Sequence, residues 1–336
     1  MQSAYSLVSH IENAINSEDI VYLPGTDWVI ASSMTDVSGR LGCLYAIDRR
    51  TRTCEILYGA ADYARDIGIE RLPADLPTGP EVFARGFTPH GIALRRSGSG
   101  SCTLYVVCHY PFDAIEVFNL EVSRSKLTAT WVESLQMPLG TSGNDLVALT
   151  DGGFAVTNMV NPKDVEAMLK MQEGIPTGYV LEWHPDVGWS QVPDSEMSGP
   201  NGIEVSPDGE WLFVSSWSST KSLVRLPREG RFSQRIALTT NLLNDNLSWT
   251  SDGKLLVTGQ LSTPMDFTAQ YRSKTRLNTP FVVLKVDPTV MNIAETAIYH
   301  DGSDGFGAGT VAAEVGNEIW VGTSRGATIG CFSRSK

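Results

Sequence analysis

Six segments of this 336-residue chain follow one grammar, and a chain that repeats a small β unit has few ways to bury a core. Each segment opens on a polar residue or glycine and runs through a short strand into a turn. An apolar strand follows and ends in small or polar residues. The segments read EDIVYLPGTDWVIASS, HGIALRRSGSGSCTLYVVCH, NDLVALTDGGFAVTN, NGIEVSPDGEWLFVSSW, DNLSWTSDGKLLVTG and GTVAAEVGNEIWVGT. In five of them the step from opening residue to turn is seven: Glu18 to Gly25, Asn144 to Asp151, Asn201 to Asp208, Asp245 to Asp252, and Gly309 to Gly316. His90 opens the remaining one, whose turn is longer. Asp-Gly at 151–152, 208–209 and 252–253 is hairpin chemistry, because a tight turn between antiparallel strands needs positive φ.

Further strands follow most hairpins, as in GCLYAIDR with TCEILYG and AIEVFNL with LTATWVESL, giving four strands per unit. Dividing 336 residues among six units gives 56 each, above the roughly 40–50 of simple blades, so insertions are expected. The predicted fold is all-β: one six-bladed β-propeller domain over residues 1–336, with four-stranded blades whose radial closure leaves few free edges. A pair of β-sandwiches would need a linker, and none is visible. The last segment supplies only the strands VAAEV, EIWVGT and TIGCFSR, so Tyr5 to Ser9 is expected to add the fourth and clasp the ring. Residues 163–171, KDVEAMLKM, read as a small helical insertion after Pro162, ended by Gly174 and Pro176. Residues 262–279 form a second insertion, polar and poor in strand-like runs. Either could lid a site on one rim.

Charge limits the partners. With 38 acidic residues against 26 basic ones the net charge is −12, which opposes a non-specific grip on phosphate backbones or anionic lipid. No apolar run approaches the roughly 20 residues that span a bilayer. Neither nucleic acid nor a membrane is therefore expected as a partner. The opening MQSAYSLVSHIENAINSEDI lacks a signal-peptide pattern, and Cys43, Cys54, Cys102, Cys108 and Cys331 have no CxxC spacing. A cytoplasmic location and buried free thiols are the expectation.

The first strand of each blade lines a propeller's central tunnel, so the six opening positions should converge near the axis. They are Glu18, His90, Asn144, Asn201, Asp245 with Asn246, and the glycine-rich stretch near Gly309. Any one of these is an ordinary turn former. Their recurrence at one position argues for a shared task. Two carboxylates and three amides suit a hard cation that takes six to eight oxygens, calcium first, while the lack of thiolates and clustered imidazoles disfavours zinc.

Together these motifs carry a likeness. The chain resembles the calcium-dependent six-bladed hydrolases related to serum paraoxonase/arylesterase, and more distantly the gluconolactonase-type and diisopropyl-fluorophosphatase propellers. The carrying pieces are IENAINSEDIVYLP, TPHGIAL with YVVCHYPF, GNDLVAL with FAVTN, GPNGIEVSPDGEWLFVS, NDNLSW, and GTVAAEVGNEIWVGT with GCFS. The resemblance implies that Glu18, Asn144, Asn201, Asp245 and Asn246 hold a catalytic calcium. It also implies that Asp19, Asp145 and the backbone carbonyl of Ile92 hold a second, structural calcium. Alternation along a strand would let Glu18 and Asp19, or Asn144 and Asp145, serve different ions, whereas Asp245 and Asn246 can reach one ion only if the backbone is irregular there. His90 and His109 match the family's histidine dyad. His10, His184 and His300 fit no motif.

Departures from the family pattern are also visible. Met159 stands where relatives carry an acid, Gln260 or a neighbour replaces a pocket histidine, and no cysteine precedes Cys43 to pair with Cys331. Trp217 is a further pocket candidate. The expected activity is calcium-dependent hydrolysis of a small lactone or related ester. Calcium would polarise the carbonyl, and His90, tuned by His109, would take a proton from water, with Asp245 as an alternative base or nucleophile. The changes at Met159 and Gln260 keep open a non-hydrolytic, metal-assisted isomerisation, ether opening or ring closure. A propeller that serves only as a binding scaffold is the third reading.

Overall fold

A computed structural model describes residues 3–35, 40–66, 86–97, 101–229, 234–272 and 276–335. In it six antiparallel four-stranded sheets are arranged as blades. Blade 1 comprises Ser17–Tyr22, Trp28–Ser33, Cys43–Asp48 and Thr53–Gly59, and blade 2 comprises Pro89–Ser97, Ser101–Cys108, Ala114–Val122 and Leu127–Gln136. Blades 3 to 5 begin at Gly143–Ala148, Pro200–Val205 and Leu243–Trp249. Blade 6 holds Gly309–Val315, Glu318–Thr323 and Thr328–Arg334. The first strands touch one another in sequence around the ring, and that of blade 6 meets that of blade 1. All six predicted opening segments are these innermost strands.

The turn chemistry works as the sequence demanded. Gly25, Gly152, Gly209, Gly253 and Gly316 all have positive φ. The long turn of blade 2, at 98–100, lies outside the described residues. Closure runs through Tyr5–Glu12, which pairs antiparallel with Thr328–Arg334 from Tyr5 opposite Arg334 to Glu12 opposite Thr328. The clasp is thus longer than the Tyr5–Ser9 stretch expected.

The apolar core lies between successive blades. Leu44, Tyr58, Phe87, Leu104 and Phe118 fill the space between blades 1 and 2. Ile11, Val29, Ile47, Trp320 and Ile329 fill the seam between blades 6 and 1. Burying each such side chain contributes about 1.5–3 kcal/mol, so the clasp strand is held by Ile11 as well as by its ladder. The five cysteines are free; all are buried except Cys54, which is half-buried.

Among the described residues three short helices decorate the sheets: α1 (Ala60–Asp66), α2 (Ala167–Glu173) and α3 (Pro264–Tyr271). The helix expected over 163–171 starts later, at Ala167. The Asn161 and Asp164 carboxamide and carboxylate oxygens accept the Lys163 and Glu166 backbone N–H groups, and these local bonds hold the preceding stretch in turns. Its end is as expected, with Gly174 at φ 75°. The second insertion, outside the undescribed 273–275, carries α3, started by Thr263, whose side chain accepts from the Asp266 N–H, and by Pro264 in the first turn. Helices α2 and α3 pack together on one rim.

Candidate metal centre and histidine relay

At the start of every inner strand the ladder slips. The shifts fall between Ser17 and Asp19, Pro89 and Ile92, Gly143 and Leu146, Pro200 and Ile203, Asn244 and Leu247, and Gly309 and Val311. A bulge re-aims side chains and frees an amide from the ladder. This is the backbone irregularity that Asp245 and Asn246 require, and it replaces the simple alternation expected at Glu18–Asp19 and Asn144–Asp145. Buried hydroxyls of the second strands take up the freed amides: Ser32 and Thr157 accept from Asp19 and Asp145 at 3.1 Å, and Ser215 accepts from Gly202 at 2.8 Å. Thr157 and Ser215 also donate to the carbonyls of Asn201 and Asp245 in the next blade, both at 2.6 Å.

Two glycines set the spacing of the inner strands. A Cβ on Gly91 would lie 2.5 Å from the Asp145 Cα, and one on Gly202 would lie 2.5 Å from the Asp245 carbonyl oxygen. Asp19 and Asp145 act as ties: Asp19 accepts from the Ile20 and Ile92 N–H groups at 2.7 and 2.8 Å, and Asp145 accepts from those of Leu146 and Ile203 at 2.7 and 2.9 Å. The group of Ile92 that meets Asp19 is thus its N–H. A cavity of about 330 Å³ below the ring is lined by Asp19, Asp145, Ile92 and Glu204, among others.

Above these ties Glu18, Asn144, Asn201, Asp245 and Asn246 come together, all buried. The Asn246 amide donates to Glu18 Oε1 at 2.9 Å, and Asn201 bonds the Asp245 carboxylate. Four buried oxygens here, Glu18 Oε2, Asn144 Oδ1, Asn201 Oδ1 and Asn246 Oδ1, have no hydrogen-bond partner. Leaving a buried acceptor unmet costs about 1–3 kcal/mol, and four from four blades share one place. Burial, then the charges of Asp245, Asp19 and Asp145, push the Glu18 carboxyl well above its ordinary range. Burial likewise raises Asp245 to about 7 and Asp19 to about 6, and lifts Asp145 well above normal. The donor set fits a hard cation. Among the described residues no three His, Cys, Asp or Glu side chains gather in metal-holding geometry, so amide oxygens must supply much of such a site.

The two histidines also meet. His90 Nδ1 lies 2.9 Å from His109 Nε2, and His109 Nδ1 lies 2.7 Å from Asp113 Oδ1. Asp113 was not singled out in the sequence; the His-x-x-x-Asp spacing is its only signal. With the carboxylate as final acceptor, the network assigns an N–H to His109 Nδ1 and to His90 Nδ1. His90 Nε2 is then an acceptor facing the ring, receiving the Asn144 amide N–H at 3.4 Å and lying 3.7 Å from Glu18 Oε1. Burial, with a smaller contribution from His109, lowers His90 to about 3 and keeps it neutral. His10 bonds Thr328, His300 stacks on Phe281, and His184 lies by Glu182, all away from the ring.

The three pocket candidates divide. Met159 borders the ring, its sulfur 3.7 Å from the Asn144 amide nitrogen. Trp217 and Gln260 sit behind Asp245: the indole N–H donates to Gln260 Oε1 at 3.0 Å, and Gln260 Nε2 donates to Asp245 Oδ2 at 2.7 Å. Met171 of α2 and Phe267 of α3 join Trp217 and Leu277 in an apolar cluster that roofs this side, with Met159 and Tyr271 packed against it. Tyr271 stacks on the buried Arg325, 3.8 Å away. Neither residue was anticipated: Tyr271 lies in α3, outside the repeat, and Arg325 in the turn that joins Glu318–Thr323 to Thr328–Arg334.

Among solved structures the chain resembles a gluconolactonase from Xanthomonas campestris, with TM-score 0.53 and 15% identity, covering 97% of this chain and 88% of that one. It also resembles a putative oxidoreductase (glucose dehydrogenase) from Thermus thermophilus, with TM-score 0.54 and 13% identity over 98% and 99% of the chains. A third is virginiamycin B lyase from Staphylococcus aureus, with TM-score 0.53 and 11% identity over 98% and 100%. At such identities these likenesses bear on the fold alone. No curated protein matches by sequence. Among the described residues no helix is long and apolar enough to cross a membrane. The arylesterase family model matches residues 2–331, and the chain belongs to that family.

Proposed function

We propose that this protein is a calcium-dependent hydrolase of lactones or related esters. The observation that carries the reading is the set of four partnerless buried oxygens on Glu18, Asn144, Asn201 and Asn246, beside Asp245. Membership of the arylesterase family supports hydrolysis, and the gluconolactonase neighbour makes a lactone a natural first substrate. Those five residues would hold the ion, and calcium bound there supplies a Lewis acid for an ester carbonyl. A second ion between Asp19 and Asp145 has weaker support, because every carboxylate oxygen of that pair already accepts a backbone N–H.

The chain's own groups do the proton work. His90 Nε2 accepts a proton as water attacks the acyl carbon, and the imidazolium returns it to the departing alkoxide as the ester C–O bond breaks. A base held as low as His90 gains a proton only if the new charge is shared. His109 and Asp113 provide that route, since the imidazolium at His90 is bonded to His109 and His109 to a carboxylate. The roof of Met171 and Phe267, with Met159 packed against it, excludes water and offers apolar contact to a chain or ring on the substrate.

The test is hydrolysis of a panel of lactones and aryl esters in water enriched in oxygen-18. Calcium-dependent turnover with one solvent oxygen in the acid product is expected. Turnover without label would replace this reading by the non-hydrolytic one.

A further inference from the structure

Gln260 stands at the end of the second strand of blade 5, fully buried, and its carboxamide is saturated on both sides. Its Nε2 has two hydrogens and two acceptors, Asp245 Oδ2 at 2.7 Å and the Gly309 carbonyl at 2.8 Å. Its Oε1 accepts from the Trp217 indole at 3.0 Å. An indole N–H can only donate. Rotating the amide by half a turn would set Oε1 against the Asp245 carboxylate and the NH₂ against the indole, replacing three attractive contacts with repulsive ones. The ring of Trp217 is itself fixed, edge-on to Phe267 of α3 at 5.5 Å between centroids.

We propose that Gln260 is a positioning residue for Asp245, with Trp217 fixing the direction of its amide. Oδ2 is tethered to blade 5's second strand, which turns the carboxylate toward the ring, where Asn201 also bonds it. The same Nε2 donates to the Gly309 carbonyl of blade 6, so the amide that holds the carboxylate is itself anchored across the seam. This rests on reading the ring as a cation site and adds a residue that touches neither the ion nor the substrate.

The test compares wild type with Q260L, which removes both donors and the acceptor, and with W217F, which removes only the indole N–H. Calcium affinity is measured by titration calorimetry, alongside the melting temperature in chelator and crystal structures of the chelated proteins. Removing a group that orients a metal ligand typically costs about 10–100-fold in affinity, expected for Q260L, with a smaller loss in W217F. Both variants should melt cooperatively in chelator, which separates positioning from folding. Wild-type affinity in Q260L would overturn the proposal. If the wild type itself binds no calcium, the cation reading fails, and the crystal structures decide the positioning claim. A single Asp245 conformer in wild type that is lost or turned in Q260L supports it, and an unchanged carboxylate overturns it.

Discussion

Replacing Asp245 with Asn should make the calcium-free protein more stable and the calcium-loaded protein less so. Burial holds the folded Asp245 carboxyl at about 7, against roughly 3.9 in an unfolded chain. Between those values the folded state binds the extra proton, so wild-type stability falls as pH rises from about 4 to 7. By pH 8 the accumulated penalty is about 3 units, or about 4 kcal/mol. Asn escapes it but weakens the bond from Gln260 by about 1 kcal/mol, because that amide then meets a neutral acceptor. The net gain is about 3 kcal/mol. With an unfolding entropy of about 2.1 cal/mol/K per residue, 336 residues convert this to a rise in Tm of about 4 °C. The assay is scanning calorimetry of D245N and wild type in chelator at pH 8 and pH 5. The advantage should shrink at pH 5, where wild type has taken up the proton. At calcium a thousandfold above Kd, wild type gains about 4 kcal/mol and the order reverses. D245N melting below wild type in chelator at pH 8, or an advantage equally large at pH 5, would refute the reasoning.

Other perturbations follow from the same geometry. H90Q should lower kcat by about 10²–10⁴ with calcium affinity retained, and D113N should lower it less, because only the orientation of His109 and the sharing of charge are lost; stopped-flow rates and calorimetry check both. G202A forces a Cβ to 2.5 Å from the Asp245 carbonyl oxygen, so overpacking should cost about 1–3 kcal/mol, read as a lower Tm together with weaker calcium binding. Deleting residues through Glu12 removes the strand that covers Thr328–Arg334 and the buried Ile11; an exposed edge should bring aggregation, read by light scattering on heating.

Most of the fold is legible in the sequence because the blade is a local object. The seven-residue step from Asn201 to Asp208 or from Asp245 to Asp252 spells a strand and its turn, and six copies leave little besides a ring. The ring residues are legible for the same reason, since each opens a repeat. What lies between repeats is not. Thr263, Pro264 and Asp266 form a helix start, yet α3 buries only a few of its side chains, including Phe267, and has no strong periodicity to announce it. Asp113 stands in a loop after the second strand of blade 2, where no sister blade offers a comparison. The role of Gln260 depends on a tryptophan 43 residues away and on a carbonyl in the next blade. The bulges are half-visible: neighbouring polar residues such as Asp245 and Asn246 announce that alternation fails, but not how Ser32, Thr157 and Ser215 absorb the freed amides.

The central claim is that the five oxygen donors of the ring bind calcium and that hydrolysis depends on it. It is tested most directly by stripping the protein with chelator and returning calcium in measured equivalents, following heat of binding and the rate of lactone hydrolysis in the same samples. The rate should rise in proportion to occupancy of the ring in wild type, and N201A should require far more calcium for the same rate. Full hydrolysis by the stripped protein, or calcium uptake unchanged in N201A, would contradict the account.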